Sequence, residues 1–382
     1  MTSVDRFVVS SGSYGCVLHP PITKNIIQDF VPYTDKNPKD VSKIFKGKKK
    51  EFTNEVNFLK KIAQIDPKSE FTTKFKGANE IKNKFLRNNN QNQTISNIYK
   101  PSVCLGKKKN SYFQIILEYG GVPVNIREEK IDYRMFLQLF RKFLKGMTNL
   151  QKQNIVHRDI KPPNVLIKKN KISLIDFGLS IDARDVYKET SMNILNYKQY
   201  IYYPPEFFIA AIMIQNKKIF EENIENMKYH LKRILYYLEQ EDYFNREDYN
   251  HNNNFHTFAM KGIQEFAENI IHKEYSKLTD IFTDDIALKS DVYSIAHIIV
   301  VFHNFIDYKS NDQKQFVEEI FTNCINTNPY NRISMKDLLE KVSKEYTNTI
   351  RSKKQIHGGK LQKTFCDNMK KSYQDIPAPK KN

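Results

Sequence analysis

The sequence predicts an α+β fold, and two neighbouring stretches carry this prediction. The residues NVLI (164–167) and KISLIDFG (171–178) flank the turn residues KKN, which is typical of two short antiparallel strands. The stretch before them predicts a helix with one buried face, formed by Phe136, Leu139, Phe140, Phe143, Met147 and Leu150. A chain of 382 residues is long enough for one large two-lobed core or for two ordinary cores.

Composition limits the class of protein. Hydrophobic residues make up 40% of the chain and charged residues 27%, which is typical of a globular protein and excludes disorder throughout. The N-terminal stretch MTSVDRFVVSSGSYG lacks a basic segment followed by an apolar one, and the most apolar run, SIAHIIVVFHNFI, is too short to span a bilayer. We therefore expect no signal peptide and no membrane span.

The cysteines favour a reducing compartment. They lie far apart without a repeated spacing, at Cys16, Cys104, Cys324 and Cys366. This distribution predicts neither a disulfide framework nor a zinc site. The expected location is therefore intracellular and cytoplasmic.

The formal net charge of +18 has two interpretations. Clustered cations bind phosphate by releasing counterions, so the charge is compatible with a nucleic acid or an anionic membrane as partner. The excess of Lys over Arg, together with abundant Asn, Ile, Tyr and Phe, is also what A/T-rich codons would produce without any such partner. We favour the second explanation, and the first stays open.

Three segments are predicted to lie outside a common core. Residues 77–98 are polar and Asn-rich, as in a loop between strands. Residues 212–282 form a helical insertion with its own apolar pattern, at Ile224, Met227, Leu231, Ile234, Leu235 and Leu238. The tail from Arg351 to Asn382 has nine basic and two acidic side chains, a net charge of +7, and is expected to be flexible.

The stretch HRDIKPPN (157–164) and the triplet DFG (176–178) hold two aspartates and an asparagine around the predicted hairpin. Asp159 and Asn164 precede the hairpin, and Asp176 follows it. Because a hairpin brings its two ends together, Asn164 and Asp176 can face one Mg²⁺ site while Asp159 faces an incoming hydroxyl. The spacing therefore indicates a metal-assisted transfer of phosphate.

These two motifs together resemble the catalytic loop and the metal-binding turn of eukaryotic-type protein kinases. The resemblance implies a bilobed fold, with a small β-rich N-lobe that holds one main helix and a larger helical C-lobe. The implied divisions are an N-lobe at 1–120, a C-lobe at 121–345 that contains the insertion 212–282, and a basic flexible tail at 346–382. The stretches GSYGCVLHPPI and VSKIF also resemble kinases of large cytoplasmic DNA viruses, for which the location would be the host cytoplasm or the virion.

The same resemblance implies an ATP site. SSGSYGCV fits the hairpin that covers the phosphates, except that Ser10 replaces the first glycine. Lys43 is expected to grip the α and β phosphates and to pair with Glu55 on the following helix. YFQIILEYGG (112–121) resembles the strand and hinge that hold adenine, with Leu117 as gatekeeper. The full set is Ser10, Gly12, Gly15, Val17, Val41, Lys43, Glu55, Leu117, Glu118, Tyr119 and Leu166.

Other residues match structural and regulatory positions of the family. Glu206 is expected to pair with Arg332, and Asp291 to accept hydrogen bonds from the catalytic-loop backbone. Arg158 is expected to bind a phosphorylated residue of the segment 179–203, where the candidates are Tyr187, Thr190 and Ser191. The remaining members of this set are His157, Phe177 and Gly178.

The reaction implied by the resemblance is transfer of the γ-phosphoryl group of ATP to a protein hydroxyl, with Mg²⁺, or alternatively Mn²⁺, as cofactor. Asp159 would accept the hydroxyl proton, Lys161 would stabilise the moving phosphate, and Asn164 and Asp176 would hold the metal. Lys161 indicates Ser and Thr as acceptors. Gln199, where such kinases usually carry a threonine, leaves tyrosine or dual specificity open.

Alternatives to an active kinase are a catalytically dead scaffold and a nucleic-acid-associated basic protein on the same fold. The retained charged positions argue against the scaffold, and the lack of a separate basic motif with interleaved aromatics argues against the nucleic-acid protein. Protein substrates are the expected partners. A partner on the insertion 212–282, and nucleic acid or an anionic surface at the tail, are compatible with the sequence but not required by it.

Overall fold

The computed structural model describes eleven stretches of the chain: 7–12, 15–19, 40–81, 111–127, 129–188, 202–215, 229, 231–233, 236, 255–272 and 278–351. They form a β-rich N-terminal part and a helical C-terminal part, which confirms the predicted α+β fold.

The N-terminal part is a five-stranded antiparallel sheet with one helix. Its strands are β1 (Phe7–Gly12), β2 (Gly15–His19), β3 (Asp40–Lys46), β4 (Phe75–Ile81) and β5 (Tyr112–Glu118), in the spatial order β1-β2-β3-β5-β4. Helix α1 (Lys49–Ile65) connects β3 to β4 and stacks Phe52 on Phe113 of β5, with ring centroids 5.0 Å apart. Phe45 of β3 also packs edge-on against Phe52, with the centroids 5.7 Å apart, so the central strand contacts the helix that follows it in the chain.

Strand β4 corrects one prediction. Residues 77–81 belong to this strand, so the expected polar loop is wrong over that range, and residues 82–98 lie outside the described residues. β4 pairs with β5 on one side only, and an edge strand keeps polar side chains such as Asn79 and Glu80 in contact with water. Polar composition therefore does not separate an edge strand from a loop.

Short strands organise the C-terminal part, and the hairpin among them confirms the one predicted from NVLI and KISLIDFG. They are β6 (Val122–Pro123), β7 (Ile131–Asp132), β8 (Ile155–Val156), β9 (Val165–Lys168), β10 (Lys171–Leu174), β11 (Ile181–Asp182) and β12 (Ile306–Asp307). β9 and β10 pair antiparallel, with Val165 opposite Leu174 and Lys168 opposite Lys171. β6 adds to the other side of β9, and this pairing joins the segment after β5 to the hairpin.

The helices supply the core of this part. They are α2 (Tyr133–Gln151), α3 (Pro205–Gln215), α4 (Phe255–His272), α5 (Leu278–Ile281), α6 (Asp284–His303), α7 (Asn311–Cys324) and a last helix, α8, at 335–351. The predicted apolar face of α2 is confirmed, because all six of its residues are buried. The β9–β10 hairpin packs on this helix.

Helix α6 contains residues 294–303 of the most apolar run of the sequence, SIAHIIVVFHNFI. Among the described residues it is the one helix long and apolar enough to cross a membrane, with a mean hydropathy of 1.3 over 18 of its 20 residues. Within the fold, however, 72% of those 18 residues are buried, as in the core helix of a globular domain. Its burial therefore explains its composition without a membrane.

The predicted segments outside the core are described in part. Residues 212–215 continue α3, and α4 and α5 lie within the range 212–282. Leu231 is helical and buried, whereas most of the predicted pattern 224–238 lies outside the described residues. Helix α8 continues through the boundary expected at 345 and reaches 351, beyond which the tail lies outside the described residues.

Candidate active site

A cluster of three charged side chains lies where the sheet meets the C-terminal part. Lys43, on β3, places its Nζ 2.8 Å from Glu55 Oε2 and 2.6 Å from Asp176 Oδ1. Lys43 pairs with Ile115 of β5 within the sheet, and Glu55 is a buried residue of α1. The ion pair expected between Lys43 and Glu55 is therefore present, and Asp176 shares the same ammonium.

Burial and charge act against each other within this cluster. Burial alone would lower the pKa of Lys43, but the carboxylates of Glu55 and Asp176 outweigh it and raise that pKa above its ordinary value. For Asp176, burial acts to raise the pKa, and the Lys43 ammonium holds it below the ordinary value. Burial raises the pKa of Glu55 to about 7 against the attraction of Lys43. Lys43 and Asp176 are thus both charged at neutral pH.

Helix α1 is attached directly to the triplet that contains Asp176. Asn54 Nδ2 donates to Gly178 O at 2.9 Å, one residue before Glu55 in the helix. Phe177 is buried, and its ring packs edge-on against His157 with the centroids 4.7 Å apart. The helix therefore contacts the DFG triplet, and the triplet contacts the HRDIKPPN loop.

Asp291 fixes the backbone at the start of that loop. Its two carboxylate oxygens accept from the backbone N–H groups of His157 at 2.7 Å and of Arg158 at 3.0 Å, as predicted. Burial raises the pKa of Asp291 to about 6 and lowers that of His157 to about 4. Arg158 has a φ of 64° and Asp176 a φ of 65°, both in the left-handed region. Asp159 emerges directly after this fixed turn.

Asp159 lies between two polar partners on its own loop. Lys161 Nζ lies 2.9 Å from Asp159 Oδ1, and Asn164 Nδ2 donates to Asp159 Oδ2 at 2.8 Å. Because its amide nitrogen donates to Asp159, Asn164 keeps its amide oxygen for another partner. Ile175 N donates to Asn164 O at 3.0 Å, which joins the loop to the segment leading into Asp176.

Asn164 and Asp176 offer amide and carboxylate oxygens, the ligands that a hard divalent cation prefers. The donor types therefore fit the predicted metal. Within the described part of the chain, no three His, Cys, Asp or Glu residues group into a further metal site.

The apolar members of the predicted ATP site lie on β2, β3, β5 and β9. Val17 pairs with Lys43 across β2 and β3, and Val41 pairs with Leu117 across β3 and β5. Leu166 lies against the hinge, since a Cβ built on Gly120 would fall 2.7 Å from its Cδ1. In the hinge, Glu118 N donates to Lys74 O and Tyr119 O accepts from Lys168 Nζ at 3.1 Å.

The predicted phosphate-covering residues lie on the first two strands. Ser10 of β1 pairs with Val17 of β2, and Gly12 pairs with Gly15 at the end of the hairpin. The two residues that join these strands, 13 and 14, lie outside the described residues.

The predicted pair of Glu206 and Arg332 lies away from this cluster. Arg332 donates to both oxygens of Glu206, at 2.5 and 2.9 Å, and both side chains are fully buried. Arg332 also donates to Asn326 O and Lys289 O and stacks on the Tyr293 ring. The pair therefore joins the start of α3 to the segment before α8.

One predicted phosphorylation site is wrong. The ring of Tyr187 packs against Phe207 at 5.8 Å and Phe282 at 5.0 Å between centroids, and its phenol oxygen is buried. A kinase cannot reach that oxygen in the folded protein. The other candidates, Thr190 and Ser191, lie outside the described residues, as does Gln199.

A separate cavity of about 670 Å³ lies between α1 and the segment after Asp176. Cations line it from both sides, with Lys50 and Lys61 on α1 and Arg158 on the loop, and Asp182 and Asp185 contribute carboxylates. The sequence predicts that Arg158 binds a phosphorylated residue. It gives no such signal for the two lysines, because lysines are dense throughout this region.

Comparison with known proteins identifies the family. A family model described as a protein kinase domain matches residues 40–342. A probable serine/threonine-protein kinase, mkcD, of Dictyostelium discoideum is 39% identical over 103 residues, covering 26% of this chain and 16% of that protein. The serine/threonine-protein kinase CAK1 of Saccharomyces cerevisiae is 32% identical over 87 residues, covering 20% and 24%.

A third relative is named for a different specificity. The dual specificity protein kinase Ttk of Danio rerio is 31% identical over 107 residues, covering 25% of this chain and 10% of that protein. The matched segments thus span at most 24% of the length of these three relatives.

Proposed function

Because the chain belongs to the protein kinase family, we propose that it is an active enzyme that transfers the γ-phosphoryl group of ATP to hydroxyls of protein substrates. The observation that carries the proposal is the ammonium of Lys43, held 2.8 Å from Glu55 and 2.6 Å from Asp176. A scaffold that binds no nucleotide gains little from holding these charges together, because partly buried charges cost desolvation energy. Phosphate binding gives the cluster a use.

The transfer uses the side chains on both sides of the junction. Lys43 binds the α and β phosphates, and Asp159 orients the substrate hydroxyl. The hydroxyl oxygen bonds to the γ-phosphorus, the bond from that phosphorus to the β-γ bridging oxygen breaks, and ADP leaves. Asp159 takes the hydroxyl proton, and Lys161, 2.9 Å from Asp159, neutralises charge on the moving phosphoryl group.

Asn164 and Asp176 are proposed to hold the divalent cation, Mg²⁺ or alternatively Mn²⁺. When bound, the cation would neutralise negative charge on the phosphates, which otherwise opposes the transfer. Asn164 is pre-oriented for this role because its amide nitrogen donates to Asp159. The lowered pKa of Asp176 keeps its carboxylate ionised and able to bind a cation.

Serine and threonine are the proposed acceptors. The support is Lys161, two residues after Asp159, and the similarity to two proteins that are named as serine/threonine-protein kinases. The dual-specificity relative keeps tyrosine as the competing outcome. Phosphoamino-acid analysis of an exogenous substrate decides between them, since a predominance of phosphotyrosine would overturn the proposal.

The test of the reaction is Asp159→Asn with labelled ATP and a generic basic protein substrate. Removing the proton acceptor should cut turnover by on the order of 10² while ATP affinity changes little, because Asp159 is not assigned to bind ATP in the ground state. Asp312→Asn, on the exposed first turn of α7, is the matched control and should behave as wild type. Wild-type protein that binds ATP tightly without turnover would instead support the scaffold.

Regulation by phosphorylation is proposed at the cavity beside α1. A phosphorylated residue of the segment 179–203 would pair with Arg158, Lys50 and Lys61, the cations that line the cavity. Thr190→Ala, Ser191→Ala and the double variant should be compared with wild type by mass spectrometry and by activity. Unchanged phosphorylation and unchanged activity in the double variant would reject this proposal.

Further partners and the source remain proposals from the sequence. Protein substrates follow from the proposed activity, and the insertion 212–282 and the basic tail are candidate contact regions for other partners. The dispersed cysteines favour an intracellular location, and the resemblance of the N-terminal motifs to viral kinases favours a virus as source. Vesicle and nucleic-acid binding with and without residues 352–382 tests the tail.

A further inference from the structure

The C-terminal end of α1 is held by one carboxylate that accepts four hydrogen bonds. Asp66 Oδ1 accepts from Glu70 N at 2.6 Å. Its Oδ2 accepts from Phe71 N at 3.0 Å, Thr72 N at 3.1 Å and the Thr72 hydroxyl at 2.9 Å. The loop that follows α1 therefore wraps around this side chain, which is itself buried.

That loop is anchored on the C-terminal part of the molecule. Phe71 is buried against α2, where a Cβ built on Gly146 would fall 2.0 Å from its Cγ, so only glycine permits this approach. Leu174 N donates to Phe71 O at 2.8 Å, and Thr72 forms a parallel bridge with Leu174. Leu174 ends β10, two residues before Asp176.

The two ends of α1 are held differently. Near the N-terminal end, the residue before Glu55 makes one hydrogen bond to the DFG triplet, from Asn54 Nδ2 to Gly178 O at 2.9 Å. At the C-terminal end, Asp66 joins the helix to the strand that leads into Asp176. Glu55 precedes Asp66 by eleven residues, about 16 Å along a helix, so a tilt of about 5° at this end would move Glu55 by about 1.4 Å.

From this geometry we propose that Asp66 is a positioning residue for the reaction. It fixes the angle of α1 relative to the strand before Asp176 and so holds Glu55 in register with Lys43. The inference rests on the proposed kinase activity, because the geometry that it protects is that of the phosphate-binding cluster. Displacements of about 1 Å in such clusters are large enough to slow a positioned reaction substantially.

If Asp66 were important only for stability, its substitution should affect catalysis no more than substitution of another capping aspartate. Asp132 accepts from Met135 N at 2.8 Å at the start of α2, so it is also a capping aspartate, but it lies outside the connection from α1 to Asp176. Asp66→Asn and Asp132→Asn should both lower the melting temperature. Only Asp66→Asn should alter catalysis in protein that is fully folded at the assay temperature.

The experiment measures kcat, KM for ATP and KM for the protein substrate in both variants. Asp66→Asn should lower kcat about tenfold and weaken ATP binding several-fold, with KM for the protein substrate unchanged. Asp132→Asn should leave all three at wild-type values. Wild-type kcat and ATP affinity in folded Asp66→Asn, or equal losses in both variants, would overturn the proposal.

A milder pair covers failure of Asp66→Asn to fold. Thr72→Val removes the hydroxyl that donates to Asp66, and Thr72→Ser keeps it. Thr72→Val should lower kcat two- to threefold, and Thr72→Ser should restore the wild-type value; identical kcat values in the two variants would count against the proposal.

Absence of turnover in wild-type protein would reject the proposed function without deciding the role of Asp66. Calorimetry of ATP binding then still tests Asp66, because displacement of Glu55 disturbs Lys43 whether or not transfer follows. Wild-type ATP affinity in Asp66→Asn would reject the positioning role under that condition.

Discussion

Two carboxylate–cation contacts in this molecule have similar chemistry and opposite surroundings. Arg332 and Glu206 are sealed from solvent, and the guanidinium also donates to two backbone carbonyls. Lys43 lies at the junction between two carboxylates, and its partner Asp176 is 25% exposed. The first contact is completely enclosed by the fold, whereas the second leaves its Asp176 carboxylate partly exposed. Accessibility, more than contact distance, distinguishes the two contacts, because solutes can reach only the second.

The largest effect on stability should come from opening the sealed pair. Arg332→Met leaves Glu206 buried without its cation, which should cost about 3–5 kcal/mol of unfolding free energy in chemical denaturation. At a temperature where the variant is folded, kcat should stay near the wild-type value. A stability loss under about 1 kcal/mol would show that the pair contributes little.

Two controls sharpen this result. Lys341→Met removes a surface ion pair with Glu319 and should change stability by less than about 1 kcal/mol. The double variant Arg332→Met/Glu206→Leu removes both charges and should recover much of the loss, because an apolar pair needs no compensating charge.

The partly exposed cluster at Lys43 should show the reverse profile in Asp176→Asn. Turnover should fall by on the order of 10² to 10³ because charge on the phosphates is no longer neutralised. The melting temperature should change little, since Lys43 keeps Glu55 as a partner. ATP affinity should fall in Mg²⁺ but not in EDTA, and turnover within twofold of wild type would reject the assigned role.

A pH effect of intermediate size tests the burial of His157. Its folded pKa of about 4 lies below the ordinary value near 6.5, so the neutral ring contributes stability that is complete above pH 6.5 and lost as pH falls towards 4. Between pH 7 and pH 5 this loss amounts to about 2 kcal/mol. Denaturation of wild type and His157→Gln at both pH values should show the advantage of wild type shrinking by that amount.

Asp291 makes the comparison with the variant necessary. Its folded pKa of about 6 lies above the ordinary aspartate value, so its contribution to stability rises as pH falls from 6 to 4. The two groups partly cancel in wild type alone. A constant difference between wild type and His157→Gln across the range would show that His157 is not held neutral.

The smallest effect is expected from removing the tail. Deletion of 352–382 should leave the melting temperature and turnover unchanged, because this stretch carries little apolar surface to bury. Differential scanning calorimetry checks this directly. A clear fall in melting temperature would show that the tail packs on the body.

Features with a local signature were predictable from the sequence. The face of α2 follows from apolar spacing, and the β9–β10 hairpin follows from two short runs around a turn. The contact of Lys43 with Glu55 followed from a resemblance that fixes residue types in order along the chain. In each case neighbouring residues, or a fixed motif order, contain the information.

Features that depend on distant packing were not predictable. The buried position of Tyr187 depends on Phe207 and Phe282, which come from two other elements. Asp66 gave no sequence signal, because its hydrogen bonds form only when the loop closes over it and Phe71 reaches Gly146. The polar strand β4 was missed because its neighbour β5 is 31 residues away in sequence at the nearest ends.

The left-handed backbone at Arg158 and Asp176 has an energetic consequence. Such conformations store about 1–3 kcal/mol each in residues other than glycine, so the surrounding contacts must hold the chain against its own relaxation. Asp291 does this for Arg158 through the backbone, and Lys43 does it for Asp176 through the side chain. The backbone at these two turns is therefore strained, and loss of either restraint would let it relax next to Asp159 and at Asp176.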